Sequence, residues 1–293
     1  DLTGLRLRTD VRAEWTQIFD EAWRLQRDFY WDPNMAGVDW DAIREKYTAL
    51  LPRVGTREEL NDLIGRMIGE LATSHAYIFG GEPHDRARGV SVGLLGADVD
   101  FVDGGHRVTR ILPGAAWDPG SRSPLAAPHL GVTEGEVITA VDGVTLTPAS
   151  NIHAMLQDRA GRPVRLSIAA APDGRGARDV VITALGDDTQ LRYDAWVEGN
   201  RRRVEEASEG ALGYIHIPDM GGEGLRAFSR QFFPQVEKRG LVVDVRNNGG
   251  GFVSQMILQR LARKLQAFDQ PRHGATGRYP ARVVHGHLAA LID

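Results

Sequence analysis

The stretch Leu241-Val242-Val243-Asp244-Val245-Arg246-Asn247-Asn248-Gly249-Gly250-Gly251 constrains this fold more than any other. Its β-branched opening reads as a buried strand, and three consecutive glycines break it before a helical pattern from Phe252 to Leu265. Glycine admits positive φ and lets a ligand approach the main chain, and unpaired N–H groups at the start of the next helix point into the same space. Such a turn can hold a negative oxygen. A phosphate loop would continue with Lys and then Ser or Thr, whereas this chain continues Phe252-Val253-Ser254-Gln255. The chemical reading that remains is an oxyanion hole for acyl transfer, in which a backbone N–H stabilises a tetrahedral intermediate. The plainer reading is a strand-to-helix connection with no ligand.

At 293 residues the chain is long for one core, so two or three domains are expected. A net charge of −4 argues against nucleic acid or an anionic membrane as a partner. The absence of cysteine excludes a disulfide framework, a thiol nucleophile and a cysteine-ligated metal, and leaves the cytoplasm as the expected compartment. No apolar run approaches a membrane span. Asp1-Leu2-Thr3-Gly4 has no start methionine or signal pattern, and Arg282 to Asp293 stops inside a strand-like run. The chain is therefore expected to be a piece of something longer.

From Ala13 to Phe29, Trp15, Ile18, Phe19, Ala22, Trp23, Leu25 and Phe29 recur at helical spacing, which predicts an amphipathic helix with an aromatic face. Asp39 is placed to cap a second helix over Trp40 to Leu51, stopped by Pro52. Thr56 and Glu59 form a capping box for a third, whose stripe of Leu60, Leu63, Ile64, Met67, Ile68 and Leu71 delivers the chain to Thr73-Ser74-His75-Ala76-Tyr77. Gly, Pro and charge from Glu82 to Arg88 mark a linker. Short strands are predicted beyond it at 90–97, 106–111, 136–141 and 164–168, with a tight turn at Asp142-Gly143 and a short helix over Asn151 to Gln157.

This order resembles a PDZ domain through Gly93-Leu94-Leu95-Gly96, the run Gly131 to Gly143, and the helix that follows. Such a module leaves a groove where a peptide can add to a strand edge; a spacer whose groove is filled by its own chain is the alternative. A charged helix then covers Leu191 to Glu206, and its Arg201, Arg202 and Arg203, beside Glu198, Glu205 and Glu206, read as a solvated face. Strand, helix, strand and helix follow at 211–218, 225–236, 241–245 and 252–265, which implies a parallel sheet.

Taken together, these parts resemble the protease core of the tricorn family, relatives of the C-terminal processing peptidases, in which a PDZ domain interrupts a two-piece catalytic unit. The residues that carry the resemblance are Glu14-Trp15 to Tyr30-Trp31-Asp32, Val38-Asp39-Trp40-Asp41, Thr73 to Tyr77, Gly213 to Gly221, Val243 to Arg246 with its glycines, and Phe268-Asp269-Gln270-Pro271-Arg272. The resemblance implies an α/β multidomain fold: a helical first piece of the core at 1–85, an inserted PDZ-like β-rich domain at 86–188, and an α/β second piece at 189–293. That last piece would carry a mostly parallel, ClpP/crotonase-like sheet, truncated before the nucleophile. The implied function is a serine-type peptidase acting on oligopeptides in intracellular protein degradation, without cofactor or metal, as a cytoplasmic homo-oligomer.

Residue by residue, the resemblance makes His75 the general base, Ser74 part of the relay that orients it, and the Gly251 N–H a donor to the oxyanion. Asp269 would sit at the mouth of the primary specificity pocket and select a basic residue before the scissile bond. Each has a plainer reading, since a Ser-His pair at a helix end can cap or pack, and Asp-Gln-Pro can be an exposed turn. The family's serine lies in a Gly- or Ala-Ser-Asp-Gly-Asp type motif after the strand that ends in Leu291-Ile292-Asp293, and its relay glutamate lies further on. No serine within 1–293 sits in such a context, so this stretch alone is expected to be inactive. The rival reading is a non-catalytic peptide-binding scaffold built around the PDZ-like module. The sequence downstream of Asp293 separates the two.

Overall fold

In a computed structural model, residues 8–81, 89–114 and 122–293 are described. The expected linker at 82–88 and the first seven residues lie outside them. Contacts divide the chain into two compact units, residues 1–89 and 90–293, and each is described by itself.

The first unit is helical. Helix α1, Val11–Phe29, starts where the Asp10 carboxylate accepts the N–H groups of Arg12 and Ala13 at 3.0 and 3.2 Å. Helix α2, Trp40–Thr48, is capped by Asp39, and α3, Arg57–Gly69, by the Thr56 and Glu59 capping box that the sequence predicts. The two indoles lock α1 to α2 reciprocally: Trp23 Nε1 donates to the Trp40 carbonyl at 2.9 Å, and Trp40 Nε1 to the Trp23 carbonyl at 3.1 Å. Around them pack Phe19, Tyr47 and the buried stripe of α3. Leu25 and Phe29 depart from the expected aromatic face, Phe29 being 80% exposed. The reason is phase, because two and six residues past Trp23 they point away from the face of Phe19, Ala22, Trp23 and Tyr30, which packs on the core to the end of the helix.

The second unit opens with an antiparallel sheet. Its strands are β1 Ala97–Val102, β2 Gly105–Ile111, β3 Val137–Val141, β4 Val144–Thr145, β5 Pro163–Ala169 and β6 Arg178–Thr183, in the order β1-β2-β3-β5-β6 with β4 paired to β3. Asp142 and Gly143, at φ +50° and +82°, make the tight turn expected of them. A short helix α4, Ile152–Met155, is capped by Asn151. The strand expected at 90–97 is reduced to isolated bridges from Val92 to Gln157 and Leu94 to Leu185. The segment changes partner there, Ser91 and Gly93 bonding residues 156–158 and Leu94 bonding Leu185, so neither pairing grows into a ladder, and Gly96, at φ +65°, turns the chain into β1.

After helix α5, Thr189–Ala207, the chain alternates β7 Leu212–His216, α6 Gly222–Phe232, β8 Gly240–Asp244 and α7 Ser254–Leu261. A two-stranded ribbon, β9 Ala267–Asp269 with β10 Gly277–Tyr279, precedes β11 His287–Leu291. Strands β11, β8 and β7 form a parallel sheet in that order, the arrangement implied by the strand-helix alternation. At its β7 margin, Gln235 accepts from the Tyr214 N–H and donates to the Tyr214 carbonyl, both at 2.9 Å, and Gln231 treats His216 likewise at 3.0 and 3.1 Å. Helix α7 is shorter than expected at both ends: Val253, whose N–H is taken by the Met220 carbonyl, is its N-cap, and Ala262, bonding back to the Leu258 carbonyl, closes it. Among the described residues no helix is long and apolar enough to cross a membrane.

Among the lowered carboxylates of the second unit, two sit furthest below their ordinary range and tie it to pH. The Arg178 guanidinium, bonded to Glu136 at 2.6 and 3.0 Å, holds that carboxyl at about 2. Burial pushes the fully buried Asp244 up, but bonds from Arg246 and Tyr214 outweigh it and leave the carboxyl at about 2. Since both values are lower in the fold than in the unfolded chain, their stabilisation is whole above the unfolded pKa, about 4, and lost as pH falls through the folded values. Each contributes about 2 to 3 kcal/mol. The melting temperature is expected to hold from about pH 7 to 5 and drop steeply from about pH 4 to 2; a flat profile across the lower interval would contradict both assignments.

Candidate active site

The glycine turn is built from bonds to the segment after β7. The Gly249 N–H donates to the Pro218 carbonyl at 2.9 Å, Asn248 Nδ2 to the Ile217 carbonyl at 2.8 Å, and the Met220 N–H to the Gly250 carbonyl at 2.7 Å. Asn248 Oδ1 accepts the Gly250 N–H at 2.8 Å. The Asp219 carboxylate fixes the facing chain by accepting from the N–H groups of Gly221 and Gly224, at 2.6 and 2.9 Å. Gly251 adopts φ +139°, and a Cβ there would stand 2.3 Å from the Met220 oxygen. Only glycine fits.

The same bonds decide which N–H groups are free. Those of Gly249 and Gly250 are consumed inside the turn, while that of Gly251 has no acceptor among the described residues. One glycine donor left open beside the start of α7 can serve a single oxygen. Phe252 beside it is 99% exposed.

Beneath the turn lies a buried carboxylate, Asp244, paired with the half-exposed Arg246, to which the sequence reading gave no role. Arg246 Nε bonds Asp244 at 3.0 and 3.2 Å and its Nη2 at 2.6 Å, while the Arg246 N–H also donates to Asp244 Oδ1 at 3.0 Å. The Tyr214 hydroxyl donates to Asp244 Oδ2 at 2.7 Å and accepts from Asn200 at 3.2 Å. Burial, then the bond to Asp244, pushes the Tyr214 hydroxyl far up and keeps it protonated. The signal available in the sequence was a lone carboxylate inside the apolar run Leu241 to Val245.

His75 follows α3 in the first unit, exposed, at φ +64°, with the Tyr77 ring edge-on at 6.3 Å. A β-carbon residue in the left-handed region is strained, and such strain collects at functional positions. Thr73 anchors the segment by bonding the Leu71 carbonyl at 3.0 Å and the Tyr30 hydroxyl. Ser74 is exposed and makes no hydrogen bond to His75 or to any other described residue. In the second unit Asp269 ends β9, exposed and opposite Gly277 of β10. Within the first unit Ser74 and His75 are not hydrogen-bonded to each other, nor within the second are Gly251 and Asp269. A cleft of about 780 Å³ between α5 and α6, lined by Tyr193, Glu198, Arg201, Arg230, Gln231 and Lys238 among others, contains none of them.

Family comparisons match the chain in three consecutive blocks: the tricorn protease C1 domain at residues 11–69, the tricorn protease PDZ domain at 93–187 and peptidase family S41 at 211–293. It is 42% identical over 295 residues to tricorn protease homolog 1 of Streptomyces coelicolor, covering 100% of this chain and 27% of that protein. To the tricorn protease of Thermoplasma acidophilum it is 41% identical over 288 residues, covering 98% of this chain and 26% of the relative. The crystal structure of the tricorn protease superposes with a TM-score of 0.89 at 39% identity, over 98% of this chain and 28% of that one. The chain thus spans about a quarter of the length of the curated relatives it matches.

Proposed function

Because the chain belongs to the tricorn protease family, we propose that the protein of which it forms a part hydrolyses oligopeptides by acyl transfer to a serine outside residues 1–293. The observation that carries this reading is the free Gly251 N–H on a turn whose other glycine donors are already used. A developing oxyanion would replace the missing acceptor there. His75 serves as general base, taking the hydroxyl proton during attack and returning it to the leaving amine, and its exposed ring is open to both partners. Ser74 orients that ring once the nucleophile is in place. The work so done is the breakdown of oligopeptides inside the cell.

The test is to express the full-length protein and treat it with a fluorophosphonate probe and oligopeptide substrates. Labelling and turnover are expected, with residues 1–293 alone giving neither. Labelling of the 293-residue chain would place the nucleophile within it, and a full-length protein with no turnover would favour the peptide-binding scaffold.

Asp269 gives the specificity side of the proposal. Its carboxylate attracts a substrate Arg or Lys, but as an exposed group it does so through a salt-screened field. In the full-length enzyme, Asp269→Asn is expected to lower kcat/KM for cleavage after Arg or Lys by about tenfold at low ionic strength, and to leave cleavage after apolar residues within about twofold. Equal losses on both substrate classes would return Asp269 to the role of a turn residue.

A further inference from the structure

The turn that carries Gly251 is gripped at its first carbonyl by an imidazole. His216 Nε2 lies 3.0 Å from the Arg246 oxygen. A carbonyl only accepts, so Nε2 carries the hydrogen, and in the neutral imidazole Nδ1 is then bare. Bare Nδ1 lies 2.7 Å from the Tyr193 hydroxyl, which must therefore donate to it. Burial pushes the Tyr193 hydroxyl up to about 12, so this donor keeps its proton at any ordinary pH. The ring has no freedom to leave. Trp196, one turn along α5 from Tyr193, stands edge-on to it at 4.8 Å, His216 is 3% exposed, and Gln231 holds its backbone N–H and carbonyl.

Arg246 is thus held by its guanidinium and its N–H on Asp244 and by its carbonyl on His216, while the N–H of that same peptide, carried by Asn247, donates to Asp293 at 2.7 Å. The Asp244 bonds anchor the side chain; His216, with Asp293 on the other edge, sets the peptide plane from which the turn departs. We propose that His216, oriented by Tyr193, is a positioning residue for the glycine turn: it fixes the Arg246 peptide and through it the direction of the free Gly251 N–H. The catalytic consequence rests on reading that turn as an oxyanion hole. The link from His216 to the turn does not.

Hydrogen exchange at the Asn248, Gly249 and Gly250 amides of the 293-residue chain reads the link directly. His216→Leu fills the space without a donor, His216→Gln keeps a side-chain N–H, and Tyr193→Phe removes only the hydroxyl. Leucine is expected to speed exchange at these amides by about tenfold, as for loss of one buried hydrogen bond, with β8 unchanged. Glutamine should stay within about threefold of the parent and Tyr193→Phe should fall between the two. Equal behaviour of leucine and glutamine, or acceleration spread evenly along β8, would reduce His216 to a packing residue. Should His216→Leu not fold, unchanged exchange in Tyr193→Phe overturns the proposal. In the full-length enzyme His216→Leu should lower kcat by about tenfold or more with KM little changed, and glutamine should restore most of it. An inactive full-length parent with the expected exchange pattern would sink the peptidase reading and leave His216 as the positioner of the turn.

Discussion

Replacing His75 with alanine is expected to lower kcat of the full-length protein by about 10⁴-fold, with almost no change in melting temperature. The two halves of this expectation have separate physical grounds. The imidazole is the one candidate base in the segment 73–77, and without it the serine hydroxyl would have to surrender its proton to water. The side chain is exposed and belongs to no core cluster, so its removal exposes no apolar area and orphans no buried partner. His75→Gly sharpens the contrast. At φ +64° glycine is relieved of the strain that any β-carbon carries, so this variant should be as inactive as alanine yet more stable by up to about 1 kcal/mol. Circular dichroism melts and initial rates on the same samples decide the matter. An alanine variant that retained a tenth of the parent rate would remove His75 from the mechanism.

Asp244→Ala is expected to destabilise the second unit by about 3 kcal/mol or more, read as a shift in the denaturant midpoint. The carboxylate is fully buried and satisfies the Arg246 guanidinium, the Arg246 N–H and the Tyr214 hydroxyl at once. Removing it leaves a phenol with no acceptor in the core and a guanidinium that escapes to water only in part, being 40% exposed. Asp244→Asn should cost less than alanine, because an amide oxygen can still accept from Tyr214 while the charge attraction is lost. A loss below about 1 kcal/mol for alanine would mean that Arg246 and Tyr214 find other partners.

Signals written in neighbouring residues were legible. The capping box at Thr56 and Glu59, the Asp142-Gly143 turn and the alternation that builds β7, α6 and β8 all depend on contacts a few residues apart. What escaped depends on pairing across the chain. Strand β1, in which Asp98 and Asp100 alternate with apolar residues, did carry the local period of a half-buried strand, but over one short run at the sheet margin, where it pairs with β2. Strand β6 is Val-rich enough to have been read, but it follows a Gly-rich stretch and earns its place only beside β5. At the site, three glycines announced the turn. That Tyr214 lies on Asp244 and His216 on the Arg246 carbonyl, each thirty residues away in sequence, could be learned only from the parallel register of β7 and β8. The roles of His75, Ser74 and Asp269 came from family resemblance, because an exposed His, Ser or Asp carries no physical mark of its own.

The amide side chains of Gln231 and Gln235 give the small parallel sheet a polarity. By occupying the outward N–H and C=O groups of Tyr214 and His216 they act as a false neighbouring strand, so no second chain can zip onto β7 without first breaking four bonds. At the opposite margin β11 is exposed along all five of its residues and pairs on one side only. Lateral growth of the sheet, whether by further strands of the same polypeptide or by unwanted self-association in a concentrated sample, is therefore one-directional. For anyone handling this chain alone, the place to put a solubilising charge is β11.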